Sequence, residues 1–521
     1  MPHKFEYGTG HLKASVAIAI ATGKCRAGLS DAAIEKIKAS QQQVNAIVSS
    51  NRTVYGINTG FGVLANTSIS EEDTATLQYK ILQSHSVGVG DILPEETAKL
   101  MLITKVHALA KGFSGVQLAT LERILWHIEN DAIPVVPEKG SVGASGDLAP
   151  LAHLFLPLIG LGEILHNGRR YKSRELLAQF GLEPVKLGPK EGLALINGTQ
   201  FILAFAVKAV QRMQNCLQAA DIIGAMSLEA LTGTKAPFDE RLHELRPFEG
   251  NKLVAKRLRI LLQNSAIMQS HIDCGRVQDP YSLRCMPQVH GASRNAWRHL
   301  KEITEIELNA VTDNPIIFSA DDTISGGNFH GQPLALPLDY ACFAAAEIGN
   351  ISDRRCYLLL EGKWGLPLLL MNNVGLNSGF MIPQYTTAAL VTENKTLCFP
   401  ASADSIPTSL GQEDHVSMGS ISARKVNKVI DNLEFILAIE LLTAAQAIEF
   451  RRPHKSSELL EFAHEYVRRF VGFAEEDRIF ADDINKIKNI ISDFSFVASL
   501  DEFARSKNNP LAGQSTGDWS Y

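Results

Sequence analysis

Three small residues in one glycine-rich loop have the types and the order needed for an unusual backbone reaction. The loop has the sequence GSVGASGDLAP over residues 140–150, and Ala144, Ser145 and Gly146 stand at its centre. Gly146 has no Cβ, so its nitrogen can approach the Ala144 carbonyl carbon with little steric hindrance. Closure of this five-membered ring with loss of two waters, one of them from Ser145, leaves an alkene conjugated to an imidazolone. The sequence therefore permits a self-made electrophile that no standard side chain provides.

The same serine can also be interpreted as the nucleophile of a serine hydrolase. The G-x-S-x-G elbow of such enzymes has a glycine two residues after the serine, and this chain has Asp147 there. This alternative predicts labelling by a serine-directed phosphonate and an unmodified Ala-Ser-Gly peptide.

Other generic catalytic motifs are missing from the sequence. Gly88 and Gly90 start a glycine pattern without its third glycine, and there is no G-x-x-x-x-G-K-[ST] phosphate loop. Several histidines lack an H-E-x-x-H partner, so a core or loop role is favoured over metal binding, and we expect no metal. They are His153, His271, His290 and His330.

Six loops have an unusual density of Gly, Asn and Ser, and loops carry function when a rigid frame positions them. They are YGINTGFG (55–62), GSVGASGDLAP (140–150), NGTQ (197–200), QDPYSLRCMPQVHG (278–291), SGGNFHGQ (325–332) and GQEDHVSMG (411–419). The first four and the last, together with TDNPI (312–316), closely resemble the motifs of the aromatic amino acid ammonia-lyases in the same order. The resemblance extends along essentially the whole chain.

This resemblance implies a mainly α fold, a long-helix bundle of the fumarase/aspartase-like superfamily with a loop-rich N-terminal active-site region. It also implies a homotetramer in which each active site is built from three chains. The implied cofactor is 4-methylidene-imidazol-5-one (MIO), formed autocatalytically from Ala144, Ser145 and Gly146, with no external cofactor. Asp147 matches a family position that assists the ring closure.

Two positions separate the substrate classes within the family. Histidine lyases carry Ser-His where phenylalanine lyases carry Phe-Leu and tyrosine lyases His-Leu, and they carry Glu where the other two classes have Gln. This chain has Ser84-His85 and Glu413. A neutral imidazole has one donor and one acceptor nitrogen, which Glu413 and His85 could satisfy. The resemblance therefore implies non-oxidative deamination of L-histidine to trans-urocanate and ammonia, the first step of histidine degradation.

The resemblance also assigns roles to residues in other loops. Tyr55 is the implied base for the β-proton; ionising a free tyrosine at pH 7 costs about 4 kcal/mol, so the site must favour tyrosinate. Helix N-termini or Arg284 could do so. The planar guanidinium of Arg284 would also clamp the substrate carboxylate. The other implied residues surround the MIO, the amino group and the substrate ring: Tyr281, Asn197, Gln278 and Phe329.

Helices are predicted to position these loops. A capping box, SEED, begins one helix at residue 70, a second starts at 94–96 with an apolar stripe that stops by Gly112, and a third stripe spans 118–128. A longer stripe runs over 426–448. Strand patterns are few, and no repeat or linker is evident. We divide one continuous globular body into an N-terminal MIO-bearing region, 1–200, and a central and C-terminal helical bundle, 201–521.

Composition excludes several classes of protein. The 521 residues are 45% hydrophobic, which is enough for a large core. The net charge is −6, so the chain lacks the excess of basic residues that binding to nucleic acid or an anionic membrane requires. The seven cysteines include no C-x-x-C pair, and the N-terminus has no apolar signal segment, so we expect a cytoplasmic protein. The uncharged segment 365–392 contains two prolines and several amides, and we expect it to be buried and to line a cavity.

Two further hypotheses stay open beside the serine hydrolase. One is a sister tyrosine or phenylalanine ammonia-lyase or an aminomutase, and coumarate formed from tyrosine would distinguish a tyrosine lyase. The other is a catalytically inactive scaffold that keeps the family fold. An inactive scaffold does not need particular polar residues at the positions that discriminate between substrates. The presence of Ser84-His85 and Glu413 therefore argues against it.

Overall fold

The computed structural model describes residues 4–50, 54, 56, 57, 59, 71–272 and 275–514. Helices dominate these residues. The α-helices are α1 (Ala14–Ala21), α2 (Asp31–Ser49), α3 (Glu71–His85), α4 (Glu95–Leu109), α5 (Leu118–Glu129), α6 (Leu148–Phe155), α7 (Ser173–Gln179), α8 (Glu191–Ile196), α9 (Gln200–Ala230), α10 (Glu240–Glu244), α11 (Glu249–Leu261), α12 (Ala266–Gln269), α13 (Tyr281–Arg284), α14 (Met286–Leu308), α15 (Gln332–Leu359), α16 (Met381–Leu397), α17 (Gly419–Glu449), α18 (Glu458–Arg468), α19 (Phe480–Ser492) and α20 (Ser495–Ser506).

The strands are short and lie mostly in the N-terminal third of the chain. They are β1 (Phe5–Tyr7), β2 (Ala27–Leu29), β3 (Val89–Ile92), β4 (Ile133–Pro134), β5 (Pro137–Lys139), β6 (Glu163–His166), β7 (Arg169–Lys172), β8 (Ile316–Ile317) and β9 (Thr323–Ile324). β1 pairs with β2 in parallel. β3 with β5, β4 with β6, β6 with β7, and β8 with β9 are antiparallel pairs.

The long helices α9, α14, α15 and α17 pack against one another and form the centre of the molecule. α9 has 31 residues and is buried on almost every side. A helix that is buried all round belongs to the interior of a large helical body, because no face of it needs to contact water. One hydrophobic cluster extends from Tyr7 in β1 to Leu511 near the end of the described chain.

Buried ion pairs connect these central helices. Asp221 of α9 accepts from Arg257 Nε of α11 at 2.7 Å and from His290 Nδ1 of α14 at 2.9 Å, and it also pairs with Arg294. Burial opposes ionisation of Asp221, but Arg294, Arg257 and His290 outweigh it and hold the pKa of this carboxyl well below its ordinary value. Removing one partner of such a pair leaves an uncompensated buried charge, which costs about 3–5 kcal/mol.

The helices predicted from periodicity are confirmed as α3, α4, α5 and α17. The capping residue Ser70 lies outside the described residues. The apolar stripe predicted for α4 was too narrow, since all its residues from Thr97 to Leu109 are buried. The reason is that α4 packs against α1, α5, α9 and β4 at once.

The prediction for the uncharged segment 365–392 is wrong for the single chain. Much of the segment is exposed, including Leu376 and Tyr385, and α16 buries only Pro383, Thr387 and Asn394. The missing charge therefore marks an apolar surface and not an interior segment. None of the described helices is both long and apolar enough to cross a bilayer.

Candidate active site

The loop between β5 and α6 bends sharply at the three residues singled out from the sequence. Ser145 has φ +52° and Gly146 has φ +81°, so two successive residues occupy the left-handed region. This conformation is strained for serine and free of strain for glycine. A Cβ on Gly146 would lie 2.1 Å from the Gly198 carbonyl oxygen, so this close approach also requires glycine. The loop is thus held in a sharply bent shape at Ser145 and Gly146.

The connection between α8 and α9 holds this bend from one side. The Gly198 N–H donates to the Ser145 carbonyl at 3.2 Å, and the Asp147 N–H donates to the Gly198 carbonyl at 2.7 Å. Asn197, the residue before Gly198, is buried. Within the described residues, nothing hydrogen-bonds to Asn197 Oδ1. A buried amide oxygen without a donor is a candidate acceptor for a bound ligand.

The segment before α17 contacts the bend from the other side. Ser145 Oγ donates to Glu413 Oε1 at 3.2 Å, and Thr408 Oγ1 donates to Glu413 Oε2 at 2.8 Å. Ala144 packs against Val416 and Met418. Residues 268 positions apart in the chain are thereby brought together. In the described part of the chain, the Ser145 hydroxyl bonds a carboxylate and no histidine, which weighs against the serine hydrolase.

His85, the last residue of α3, lies within the electrostatic reach of Glu413. Burial lowers the pKa of His85 below its ordinary value, against the raising effects of the hydrogen bond with the Ile81 backbone and of the Glu413 charge. The ring is therefore neutral at pH 7, with one donor and one acceptor nitrogen. Its Nδ1 lies 3.0 Å from Ser84 Oγ.

Phe329 belongs to a loop that lies beside the Glu413 segment. His330 Nε2 donates to the His415 carbonyl at 3.2 Å, and the two imidazole rings are nearly parallel with centroids 6.0 Å apart. Phe329 itself is half-buried. The structure therefore brings this aromatic position near the same site.

Asp147 is fully buried directly after the bend. It accepts from the Ile202 N–H at 3.0 Å and from Ser141 Oγ at 3.2 Å. Burial raises its pKa to about 7, although these hydrogen bonds act in the opposite direction. A carboxyl group with this pKa can take up or release a proton near neutrality, which suits a role in dehydration.

Several helix N-termini meet at the loop. Built at Gly331, just before α15, a Cβ would lie 2.7 Å from Ile202 Cδ1 of α9 and 2.9 Å from Ser417 Oγ. α6 begins directly after Asp147, and α17 begins at Gly419, close to the same Ile202. Helix N-termini carry partial positive charge, so this arrangement favours negative charge at the site.

The remaining predicted site residues lie elsewhere in the single chain. Tyr281 and Arg284 are in α13, with the Arg284 guanidinium 4.5 Å from the centroid of the Tyr281 ring. Arg284 Nε donates to the Asp279 carbonyl at 3.0 Å, and Gln278 is exposed. Tyr281 is 71% exposed. Among the described contacts, none joins these residues to the 143–147 loop. Tyr55 lies outside the described residues.

Other residues at the site were not found from the sequence. Thr408 and Ser417 have no distinguishing pattern, and only their contacts with Glu413 and Gly143 reveal them. Lys105 is fully buried in α4 and contacts the Asn197 carbonyl. The sequence could have indicated this residue, because a lysine with apolar neighbours on every side of a helix is expected to be buried and to need a polar partner.

The site and the fold together define a family. A family model described as aromatic amino acid lyase matches residues 12–469, and the chain belongs to that family. It is 46% identical over 485 residues to a histidine ammonia-lyase of Vibrio parahaemolyticus, covering 92% of this chain and 95% of the relative.

Solved structures share the same architecture. The crystal structure of histidine ammonia-lyase from Trypanosoma cruzi is 40% identical with a TM-score of 0.90, covering 100% of this chain and 98% of that one. Tyrosine aminomutase from Streptomyces globisporus is 34% identical with a TM-score of 0.91, over 96% and 99% of the two chains. The predicted family, the mainly α fold and the carbon–nitrogen lyase class are confirmed.

Proposed function

We propose that this protein is a histidine ammonia-lyase that converts L-histidine to trans-urocanate and ammonia. The observation that carries the proposal is the position of Glu413, whose carboxylate contacts Ser145 in the bent loop and acts on the pKa of His85. A carboxylate and a neutral imidazole offer an acceptor and a donor to the two ring nitrogens of the substrate. The relatives that carry this name support the same substrate.

The residues of the bend fit the formation of the MIO group. Gly146 occupies a cradle that a Cβ would fill, and Asp147 can exchange a proton beside it. Ala144, Ser145 and Gly146 would hold this group, which would supply an electrophile for the substrate amino group. Ring formation removes the Ser145 hydroxyl as water, and Glu413 Oε1 then loses this partner. The Glu413 carboxylate thereby becomes free to accept a hydrogen bond from the substrate imidazole.

The other site residues act on the rest of the substrate. Arg284 binds the carboxylate, since a guanidinium matches it bidentately. Asn197 holds the amino group with its free amide oxygen. Tyr55 removes the β-proton, and nearby positive charge would have to favour its ionised form. Tyr281, Gln278 and Phe329 complete the contacts around the MIO and the ring.

We further propose that the active sites are shared between copies of the chain in a cytoplasmic homotetramer. Tyr281 is exposed in α13, away from the contacts of the 143–147 loop. A second copy would bring this segment to the loop without any change of fold. The exposed apolar surface of segment 365–392 offers an area for such an assembly. The only other partner we expect is the substrate, with neither nucleic acid nor membrane.

The proposal is tested by incubating the purified protein with L-histidine and recording urocanate and ammonia. We expect both products in equal amounts, and none from a Ser145→Ala variant. L-tyrosine is the parallel substrate. Coumarate as the main product would show a tyrosine ammonia-lyase instead of a histidine ammonia-lyase. β-Tyrosine as the main product would show an aminomutase. Labelling of Ser145 by a phosphonate would favour the hydrolase instead.

A further inference from the structure

Lys105 is a buried lysine that the proposed reaction does not yet use. It lies in the middle of α4, and its side chain is 1% exposed. Its Nζ donates to the Asn197 carbonyl at 2.5 Å and lies 3.4 Å from Gln200 Oε1. A buried ammonium without compensation is strongly unfavourable, so these contacts must offset a large desolvation cost.

In the part of the chain that the structure describes, no ion pair with a neighbouring carboxylate explains why Lys105 is buried. Asp313 forms its ion pair with Lys190, a second buried lysine whose Nζ also donates to the Ser114 carbonyl at 3.1 Å. Among the described residues, no carboxylate lies within ion-pair distance of Lys105. Burial lowers the pKa of Lys105 to about 7, opposed by the charges of Asp313 and Asp147 and reinforced by Lys190. Within the described chain, the direct hydrogen bonds of Lys105 therefore go to the connection between α8 and α9 and to Gln200, the first residue of α9.

That connection leads from Lys105 to the bent loop through a single peptide unit. The Asn197 carbonyl accepts from Lys105, and the N–H of the same peptide, which belongs to Gly198, donates to the Ser145 carbonyl at 3.2 Å. Hydrogen bonds in such a chain polarise one another, so a cation at the carbonyl end strengthens the donor at the other end. The Gly198 carbonyl in turn accepts from the Asp147 N–H. Both flanks of Gly146 thus depend on a segment that Lys105 anchors.

We propose that Lys105 is a positioning residue for the formation of the MIO ring. In its ammonium form the side chain fixes and polarises the Asn197–Gly198 peptide, which holds the Ser145 carbonyl next to Gly146. The inference rests on the proposed function, because it concerns the same ring.

The reaction that Lys105 assists is balanced without an oxidant. A bond forms between the Gly146 nitrogen and the Ala144 carbonyl carbon. The Ala144 oxygen leaves as the first water with the protons of the Gly146 and Ser145 nitrogens, and the Ala144 carbon becomes doubly bonded to the Ser145 nitrogen. The Ser145 hydroxyl leaves as the second water with the Ser145 Cα proton, which creates the methylidene group. The Ser145 carbonyl, held by Gly198, becomes the ring carbonyl.

The test compares Lys105→Met and Lys105→Arg with the unchanged full-length chain. Freshly expressed protein is sampled over time, and the fraction of chains that have lost two waters is measured by mass spectrometry. Circular dichroism and the assembly mass report folding. We expect folded Lys105→Met to form the ring about 10- to 100-fold more slowly, the range that one hydrogen bond to a charged group spans. Lys105→Arg keeps the charge and should recover much of the rate.

The matched control is Lys99→Met, on the same helix. Lys99 is also nearly buried, but its Nζ pairs with Asp131 at 2.5 Å, away from the α8–α9 connection. We expect its ring formation to match that of the unchanged chain. Folded Lys105→Met with unchanged ring formation would overturn the inference. If Lys105→Met does not fold, Lys105→Gln replaces it, and equal ring formation in Lys105→Gln and Lys105→Arg overturns the role of the charge. Absence of water loss in the unchanged chain would overturn the proposed function itself.

Discussion

At the scale of residues, the site depends on the two partners that Glu413 has before any ring exists. Ser145 Oγ and Thr408 Oγ1 each donate to one of its carboxylate oxygens. The carboxylate is therefore held in place at the bend, and the proposed ring formation would remove one of the two donors. A site whose acceptor is uncovered in this way can select a substrate that brings its own N–H.

The first prediction concerns this selection. We expect Glu413→Gln to lower kcat/KM for L-histidine by about 100-fold, because the amide keeps the shape but loses the charge-assisted hydrogen bond to the imidazole. Asp414→Asn is the matched control, since this neighbouring carboxylate is exposed. Steady-state kinetics of the two variants decide the matter. An equal effect in both would contradict the role of Glu413.

The second prediction concerns the pH dependence of stability through Asp147. Burial raises its pKa from 3.8 to about 7 in the folded chain. Between these values the folded chain holds a proton that the unfolded chain has released, so the contribution of Asp147 to stability falls as pH rises from about 4 to 7. We expect the stability advantage over Asp147→Asn to decrease across this range.

The comparison is made by urea unfolding in a Ser145→Ala background, so that neither chain carries the ring. The Asp147→Asn side chain does not titrate, which makes it the internal reference. A difference between the two urea midpoints that stays constant from pH 4 to 8 would show that Asp147 titrates normally.

At the scale of elements, the site is formed where loops from separate helices approach closely, and glycines make this approach possible. A Cβ on Gly143 would lie 2.1 Å from Ser417 Oγ, an atom that is itself fully buried just before α17. Gly168, in the turn between β6 and β7, has a similar positive φ but nothing within 4 Å of a Cβ. A comparison of these two glycines therefore separates the cost of a left-handed conformation from the cost of a steric contact.

The third prediction follows from this pair. We expect Gly168→Ala to destabilise the protein by about 1 kcal/mol, the cost of a left-handed alanine. Gly143→Ala should cost about 1–3 kcal/mol more, because the methyl group forces the Ser417 segment away from the loop. Urea unfolding of both variants measures the difference. Equal destabilisation by the two variants would mean that the Ser417 segment moves away from the Gly143 loop without a cost in free energy.

The local sequence pattern predicted the helices better than it predicted which loops come into contact. Periodicity identified α3, α4, α5 and α17, because apolar residues recur at helical spacing in the sequence of each. The contact between Ser145 and Glu413 joins positions 268 residues apart, and no spacing rule reaches that far. Family resemblance supplied both residues. The full burial of α4, and with it Lys105, was missed because an apolar stripe does not show how many neighbours surround a helix.

At the scale of the whole molecule, one chain leaves an apolar surface and residues of the proposed site exposed. Tyr281 in α13 is one, and residues of segment 365–392 such as Leu376 are others. The sequence suggested an interior segment there, because absence of charge is common to interiors and to interfaces between subunits.

The fourth prediction tests the sharing of sites between chains. We expect Ser145→Ala and Tyr281→Phe homomers to be nearly inactive, since each lacks one part of every site. Co-expression should give mixed assemblies in which some sites combine an intact loop with an intact Tyr281, and histidine deamination should reappear. Mixing the two homomers after assembly is the control. Absence of activity after co-expression, with mixed assemblies shown by mass, would place both residues in the same chain's site.

The most direct test of the account is the mass of the peptide that contains Ala144, Ser145 and Gly146. Digestion of the active protein should yield this peptide lighter by two waters, and the Ser145→Ala variant should yield it without that loss and without activity. An unmodified peptide from a protein that still releases ammonia from L-histidine would contradict the account.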